Sequence, residues 1–270
     1  MTLDFSEAEV ARYSRHILLR EVGGTGQAKL RAASVLIIGA GGLGSPAALY
    51  LAAAGVGRIG IVDHDVLELS NLQRQISHTM AGIGMPKVNS AAAAMRAINP
   101  DITVVPIEAR VGADNIAGLV ADHDIILDGT DNFATRYVVA DACVQGRKTL
   151  ISAAVLRFEG QISTFKPHAG AEFPCYRCLY PEPPPQGAVP SCSQAGVLGP
   201  VTGVMGTLQA TEAMKEILGI GTSLAGRLLL WDALDMRFRM ITLKRDPACP
   251  TCSPPAGSPR WITPLNQINE

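Results

Sequence analysis

The chain has 270 residues, a formal net charge of -1, and 47% hydrophobic and 17% charged residues. So balanced a charge supplies no bulk positive field for a polyanion, which argues against a nucleic-acid partner, and no uncharged stretch has the length of a membrane span. Acidic residues occupy the N-terminus where a secretory leader needs positive charge, so the six cysteines are expected in the reducing cytoplasm, as metal ligands or reactive thiols rather than disulfides.

Ser6-Glu-Ala-Glu9 is a capping-box pattern and predicts a helix running through Arg12-Tyr-Ser-Arg15, broken over 22–26. Ser34-Val-Leu-Ile-Ile38 is a short β-branched run that ends at Gly39-Ala-Gly41-Gly42-Leu-Gly44. A helix over 45–54 and a strand over 58–62 follow, with Asp63 at that strand's carboxyl end. Further on, 86–98 has helical periodicity, 102–106 and 124–127 read as strands around a helix at 115–121, and 132–146 with 150–154 forms another helix–strand pair. This alternation predicts a doubly wound, mainly parallel sheet. After residue 154 the pattern changes to a strand at 159–166, a proline-rich stretch at 181–190, a long helix over 201–218 and two further strands at 228–231 and 237–243. These last strands predict an antiparallel extension. The expected organisation is a helical segment over 1–33, a main domain over 34–253 and a loosely ordered tail over 254–270.

Gly39-x-Gly41-x-x-Gly44 follows a strand and opens a helix, the context in which backbone N–H groups receive phosphate. Asp63 is placed to accept hydrogen bonds from a ribose. Asn71, Arg74 and Lys87 together suit a triphosphate, since two cations offset its charge and an amide orients it; a redox cofactor has no use for such a group. Asp131, after the fourth strand, suits either Mg²⁺ or the cap of the helix that follows.

Cys175-Tyr-Arg-Cys178 and Cys249-Pro-Thr-Cys252 have the spacing of a closed tetrahedral zinc site with a folding role. A thioredoxin-like redox role is disfavoured on the expectation that neither pair follows a strand and opens a helix. Cys143 reads as a buried structural thiol. Cys192, beyond the proline-rich stretch, reads equally as an inert exposed cysteine or a nucleophile.

Taken in order, Arg12-Tyr-Ser-Arg15, the glycine loop, Asp63-His-Asp-Val, Leu69-Ser-Asn71-Leu-Gln-Arg74-Gln, Pro86-Lys87, Asp128-Gly-Thr-Asp131-Asn132, both cysteine pairs and Cys192-x-x-Ala-Gly-Val resemble the ThiF/MoeB/HesA adenylyltransferases, bacterial relatives of ubiquitin-activating enzymes. The resemblance covers about residues 10–252. It implies a homodimer that uses ATP to adenylylate the C-terminal Gly-Gly carboxylate of a ubiquitin-like sulfur-carrier protein, in thiamine or molybdopterin biosynthesis, with release of pyrophosphate.

By the same resemblance Asp63 binds the ribose, and Arg15, Asn71, Arg74 and Lys87 surround the phosphates. Arg15 or Arg74 would reach across from a partner subunit. Asp131 would hold Mg²⁺, the Gly41-Gly42 backbone would lie near the α-phosphate, and Cys192 would match the thiol that takes part in sulfur transfer in some thiamine-pathway members. A separate protein, a cysteine desulfurase or a rhodanese, is expected to deliver sulfur. The rival readings are a nicotinamide-dependent oxidoreductase on the same glycine loop and a non-catalytic scaffold for a ubiquitin-like partner.

Overall fold

The computed structural model describes residues 4–185, 188 and 195–253. Cys192 and the expected tail at 254–270 lie outside these described residues, as does part of the proline-rich stretch.

Ser6 caps helix α1 (Glu7–Ile17): its side chain accepts from the Glu9 amide while the Glu9 carboxylate receives the Ser6 N–H, the reciprocal arrangement that the sequence pattern implies. The expected break at 22–26 falls earlier, over 18–22, because α1 ends at Ile17 and helix α2 (Gly23–Ala32) takes up most of the anticipated stretch. Glycines disfavour a helix there, but burial decides: Leu30 is fully buried, and buried Gln27 ties the helix to the rest of the fold by donating to the Ala54 carbonyl.

Strands β1 (Ser34–Ile38), β2 (Arg58–Asp63), β3 (Thr103–Glu108), β4 (Ile125–Asp128) and β5 (Thr149–Leu156) alternate with helices α3 (Gly44–Ala53), α4 (Lys87–Ile98), α5 (Ile116–Ala121) and α6 (Phe133–Gln145). Beyond them come β6 (Glu159–Phe165), the short α7 (Tyr176–Leu179), the long α8 (Gly199–Leu218), β7 (Arg227–Asp232) and β8 (Arg237–Thr242). The eight strands form one sheet in the order β3-β2-β1-β4-β5-β6-β7-β8. Neighbours are parallel from β3 to β5 and antiparallel from β5 to β8.

Both faces of β1 are covered, which is why it reads as an unbroken apolar run rather than an alternating one. Val35 and Ile37 enter the core cluster beneath α3, α4 and α8, whereas Leu36 and Ile38 enter the cluster formed with α5 and α6. Since β1 lies between β2 and β4, connections leave it in opposite directions. That reversal opens a crevice at the carboxyl ends of β1 and β4, where α/β sheets of this kind receive ligands. Among the described residues no helix is long and apolar enough to cross a membrane.

Burial holds three histidines below their ordinary pKa of 6.5: His78, His123 and His168. The unfolded chain therefore binds more protons than the folded one once the pH drops below 6.5, and stability falls on acidification from that point towards each depressed value. Thermal unfolding should show Tm declining between about pH 6.5 and 5. A Tm that is flat or rises over that window would show that these rings titrate normally in the folded protein.

Candidate functional site

The crevice is a cavity of about 980 Å³ that begins at the glycine loop and extends over the antiparallel strands. The loop itself is fastened at several points. Gly39 N–H donates to Val62 O at 2.8 Å, Gly129 N–H to Ile38 O at 2.9 Å, and Ala40 N–H to Asp63 Oδ2 at 2.8 Å. Buried His78 closes it from below, with Nε2 2.9 Å from Ala40 O and Nδ1 3.0 Å from Ser90 Oγ.

Gly39 has φ +96°, in the left-handed region that favours glycine, and a Cβ on Gly44 would lie 1.8 Å from the Gly39 carbonyl oxygen. Gly44→Ala should therefore force the loop off β1, costing at least about 3 kcal/mol and abolishing nucleotide binding. Gly41→Ala, whose Cβ would meet only Gln75 Nε2 at 3.7 Å, should fold normally and lose affinity alone. Thermal unfolding beside ATP titration separates the two, and a stable, ATP-binding Gly44→Ala would contradict the packing argument.

Asp63, Asn71, Arg74, Lys87 and Asp131 all line this cavity, together with Gly41 and Gly42. Asp63 Oδ1 also accepts from the Asp65 amide at 2.9 Å, so two backbone donors fix the carboxylate and leave its remaining lone pairs for a ligand. Asn71 is buried in a short 3-10 turn (Leu69–Asn71), where its Oδ1 accepts from the Glu68 amide. Arg74 is held by donation to Ser70 O at 3.0 Å.

Lys87, only 6% exposed at the start of α4, pairs with Asp65 Oδ2 at 2.7 Å. Burial pushes the Asp65 carboxyl up, but the Lys87 hydrogen bond and charge outweigh it and keep the group below its usual 3.8. Asp65 was not singled out in the sequence, although it lies inside Asp63-His-Asp-Val; it is the carboxylate paired with the buried Lys87.

The two readings of Asp131 separate cleanly. Asn132 caps α6 by accepting from the Thr135 amide at 2.9 Å, so capping does not use Asp131. Asp131 is exposed at the cavity wall and makes no hydrogen bond or ion pair to a described residue, as suits a ligand to a hydrated cation.

Behind it sits a buried pair the sequence reading missed. Asp128 accepts from Thr130 N–H at 3.0 Å, Thr130 Oγ1 at 2.7 Å and Ser152 Oγ at 2.8 Å, and lies 3.7 Å from Arg136. Burial opposes the Arg136 charge, but Asp128, Tyr176 and Asp131 together outweigh it and raise the group's pKa; the arginine also donates to Thr130 O, rigidifying the segment that carries Asp131.

Arg15 is the exception. It lies exposed on α1 and does not line the cavity of its own protomer.

Across the molecule, the four cysteine sulfurs lie within 4.8 Å of one another. Cys175 Sγ is 3.8 Å from Cys178 Sγ and 3.5 Å from Cys249 Sγ, and Cys178 Sγ is 3.5 Å from Cys252 Sγ. A tetrahedral ion with metal–sulfur bonds of about 2.3 Å sets its sulfurs about 3.8 Å apart, so the residues present fit such an ion. Mutual hydrogen bonding among the sulfurs splits their proton affinities: Cys178 first, then Cys249 and Cys252, pushes the Cys175 thiol up, while Cys175 first, then Cys178, pushes Cys252 down to about 6 against the opposing effect of Cys249. A divalent cation removes that conflict by favouring thiolate at every position.

Cys175 is the N-cap of four-residue α7, and the turn that carries Cys178 N–H to Cys175 O puts both sulfurs on one side. The residues 166–174 separate that helix from β6, so it is no continuation of a strand. Between the two cysteines, Arg177 makes a bidentate pair with fully buried Asp141 (2.8 and 3.0 Å), anchoring the cluster to α6. Cys143 is buried as expected, and burial pushes its thiol well up, away from reactivity.

These features define a class: an α/β protein of dinucleotide-binding architecture whose cavity gathers a glycine loop with acidic, amide and cationic side chains, and whose C-terminal side carries a cluster of four cysteines. The chain belongs to the ThiF family, whose model matches residues 13–251. It is 49% identical over 252 residues to the SAMP-activating enzyme E1 of Haloferax volcanii, covering 93% of this chain and 92% of that protein. The sulfur carrier protein adenylyltransferase of Thermus thermophilus is 47% identical over 250 residues, with 92% of each chain covered. The probable adenylyltransferase/sulfurtransferase MoeZ of Mycobacterium tuberculosis is 52% identical over 246 residues; there the match takes in 91% of this chain but only 63% of the relative. In fold the chain is similar to E. coli MccB, solved with AMPCPP and MccA, at a TM-score of 0.78 and 23% identity over 93% of this chain and 75% of that one.

Proposed function

We propose that the protein is a sulfur-carrier adenylyltransferase: it uses ATP to adenylylate the C-terminal Gly-Gly carboxylate of a ubiquitin-like carrier and releases pyrophosphate. The observation that carries this is the convergence, in one cavity, of a glycine loop, Asp63, Asn71, Arg74, Lys87 and an uncommitted Asp131, with open space continuing over β6–β8 for an extended tail. The names of the Haloferax and Thermus relatives support it.

In this reading Asp63 receives the ribose, and the Gly41-Gly42 backbone lies beside the α-phosphate. Arg74, Lys87 and Asn71 hold the phosphate oxygens. A carboxylate oxygen of the carrier bonds to the α-phosphorus as the bond from that phosphorus to the pyrophosphate oxygen breaks. The electron pair leaves with pyrophosphate, so no general base is required. The task is orientation and charge: effective molarities for well-placed reactants contribute about 7–11 kcal/mol, and guanidinium stabilisation in related transfers about 10³–10⁵ in rate. Magnesium, held by Asp131, would offset charge on the departing pyrophosphate. The four cysteines would hold a structural zinc ion. Cys192 would act after adenylate formation, if sulfur from a cysteine desulfurase or rhodanese-like donor passes through it. A cytoplasmic setting keeps such thiols reduced, and either thiamine or molybdopterin synthesis would use the product.

ATP–pyrophosphate exchange tests the reaction, with Gly-Gly-ending carriers added one at a time. Exchange that appears only with a carrier establishes it; ATP binding without exchange for any carrier would leave the scaffold reading.

The working form is a homodimer. Exposed Leu69, Ile76, Met80, Ile83 and Met85 crowd the segment beside the cavity, and Arg15 needs a site other than its own. If Arg15 serves the partner's cavity, mixing inactive Arg15→Ala and Asp131→Asn chains should restore about a quarter of wild-type exchange, since half the dimers are mixed and each has one complete site. No recovery after confirmed subunit mixing would place Arg15 outside the reaction.

A further inference from the structure

The far end of the cavity is charged in a way the nucleotide does not explain. Arg237 and Arg239 occupy alternate positions of β8, point to the face that lines the cavity, and are exposed. Neither has a carboxylate within ion-pair distance or a hydrogen-bond acceptor among the described residues. Their surroundings differ. Arg237 stands opposite Asp232, whose Oδ1 is occupied by the Leu234 and Asp235 amides of the hairpin turn. Arg239 stands opposite Leu230, and Gln161 lies beyond Leu230 in the same row, so that row holds no anion. β8 is also an edge strand, which natural sheets normally cover or blunt, and it exposes Ile241 on the face of the two arginines and Phe238 and Met240 on the other.

We infer that Arg239, assisted by Arg237, docks an acidic patch of the protein whose carboxylate is activated, at a point well upstream of the reacting end. The distance sets where that patch must lie. β8 is five strand spacings from β1, about 24 Å at roughly 4.8 Å each. An extended tail covers about 3.4 Å per residue, so the acidic group is at least about seven residues from the terminus. The terminal Gly-Gly is then read by the narrow end of the cavity and the acidic group by β8, two separate determinants on one partner. An unpaired guanidinium on an open rim contributes mainly through steering and register, and it also repels basic tails of the same length.

The inference rests on the proposed carrier adenylylation, and its test can fail independently. The probe is a fluorescent peptide of about twelve residues ending in Gly-Gly, with glutamates roughly seven and nine residues from the end, compared with the same peptide carrying glutamines. Anisotropy with the full chain should show the glutamate peptide binding about tenfold tighter at low salt, with the margin shrinking as salt rises. Arg239→Glu should erase that preference, and a lysine version of the peptide should then bind better than the glutamate one. In exchange assays the variant should raise the KM of the glutamate peptide more than it lowers kcat, a split that a merely structural role for Arg239 would not produce. Equal binding of the glutamate and glutamine peptides overturns the acidic-partner inference, as does a salt-independent loss in Arg239→Glu. Pyrophosphate exchange driven by either peptide reports separately on whether a Gly-Gly carboxylate is activated at all.

Discussion

Stripping the metal from the four-cysteine centre, or replacing Cys249 with serine, is expected to lower Tm by roughly 8–16 °C and to expose the strap at 243–253 to protease. The magnitude comes from discounting. Structural zinc sites contribute about 10–16 kcal/mol in small peptides that are unfolded without metal, whereas this chain has a separate large core, so about a third of that, roughly 4 kcal/mol, is the reasonable share. At about 2–4 °C per kcal/mol for a chain of this size, the shift follows.

The loss should begin locally. Cys249 is buried and its sulfur sits 3.5 Å from that of Cys175, yet beyond the cysteines the strap carrying it is tied to the rest of the fold by Arg245, which donates to Pro167 O and Gly170 O, and by Leu243 N–H donating to Gly226 O. Metal content near one per chain, release by a thiol-reactive agent, and proteolysis within the strap before global unfolding would together establish the site. An unchanged Tm with no bound metal would make the cluster four packed thiols and nothing more.

What the sequence revealed and what it hid follow from the range of the interactions concerned. The β1 run, the glycine loop and Asp63 are local: strand, turn and carboxylate occur in one short stretch, and the parallel sheet does no more than bring them together. The cysteine pairs were legible because ligand spacing is a local constraint too. Helix α2 was hidden because its stability comes from Leu30 and Gln27 buried against distant segments, which glycine-rich propensity does not register. The Asp128–Arg136 pair was hidden for a related reason. A lone arginine in a helix normally reads as solvated; only the fold shows it buried, with its partner on a neighbouring strand and Gln209 of α8 donating to the Asp128 carbonyl at 2.8 Å. The roles of Asp131 and Asn132 could not be divided by sequence, since both residue types cap helices well; one hydrogen bond from Thr135 divides them.

That division makes Asp131 the sharpest probe of the chemistry. Asp131→Asn should reduce pyrophosphate exchange by about 10²–10³-fold, the usual loss when one preorganised electrostatic partner of a transition state is removed. Tm should stay within about 1 °C, because the side chain is exposed and supports no hydrogen bond or ion pair among the described residues. Lys87→Ala is the necessary contrast. It should cut exchange and also destabilise the fold, since Lys87 is 6% exposed and its loss leaves Asp65 without the cation 2.7 Å away. Loss of activity is therefore diagnostic at Asp131, where stability is unchanged, and ambiguous at Lys87, where both fall together. If the carboxylate works by holding magnesium, raising the magnesium concentration should recover part of the Asp131→Asn rate with little change in the carrier's KM. If it works by orienting the incoming carrier instead, magnesium should do nothing and the carrier's KM should carry the whole defect. Full exchange by Asp131→Asn would remove this residue from the mechanism and leave Arg74 and Lys87, with the glycine loop, to offset the charge at phosphorus.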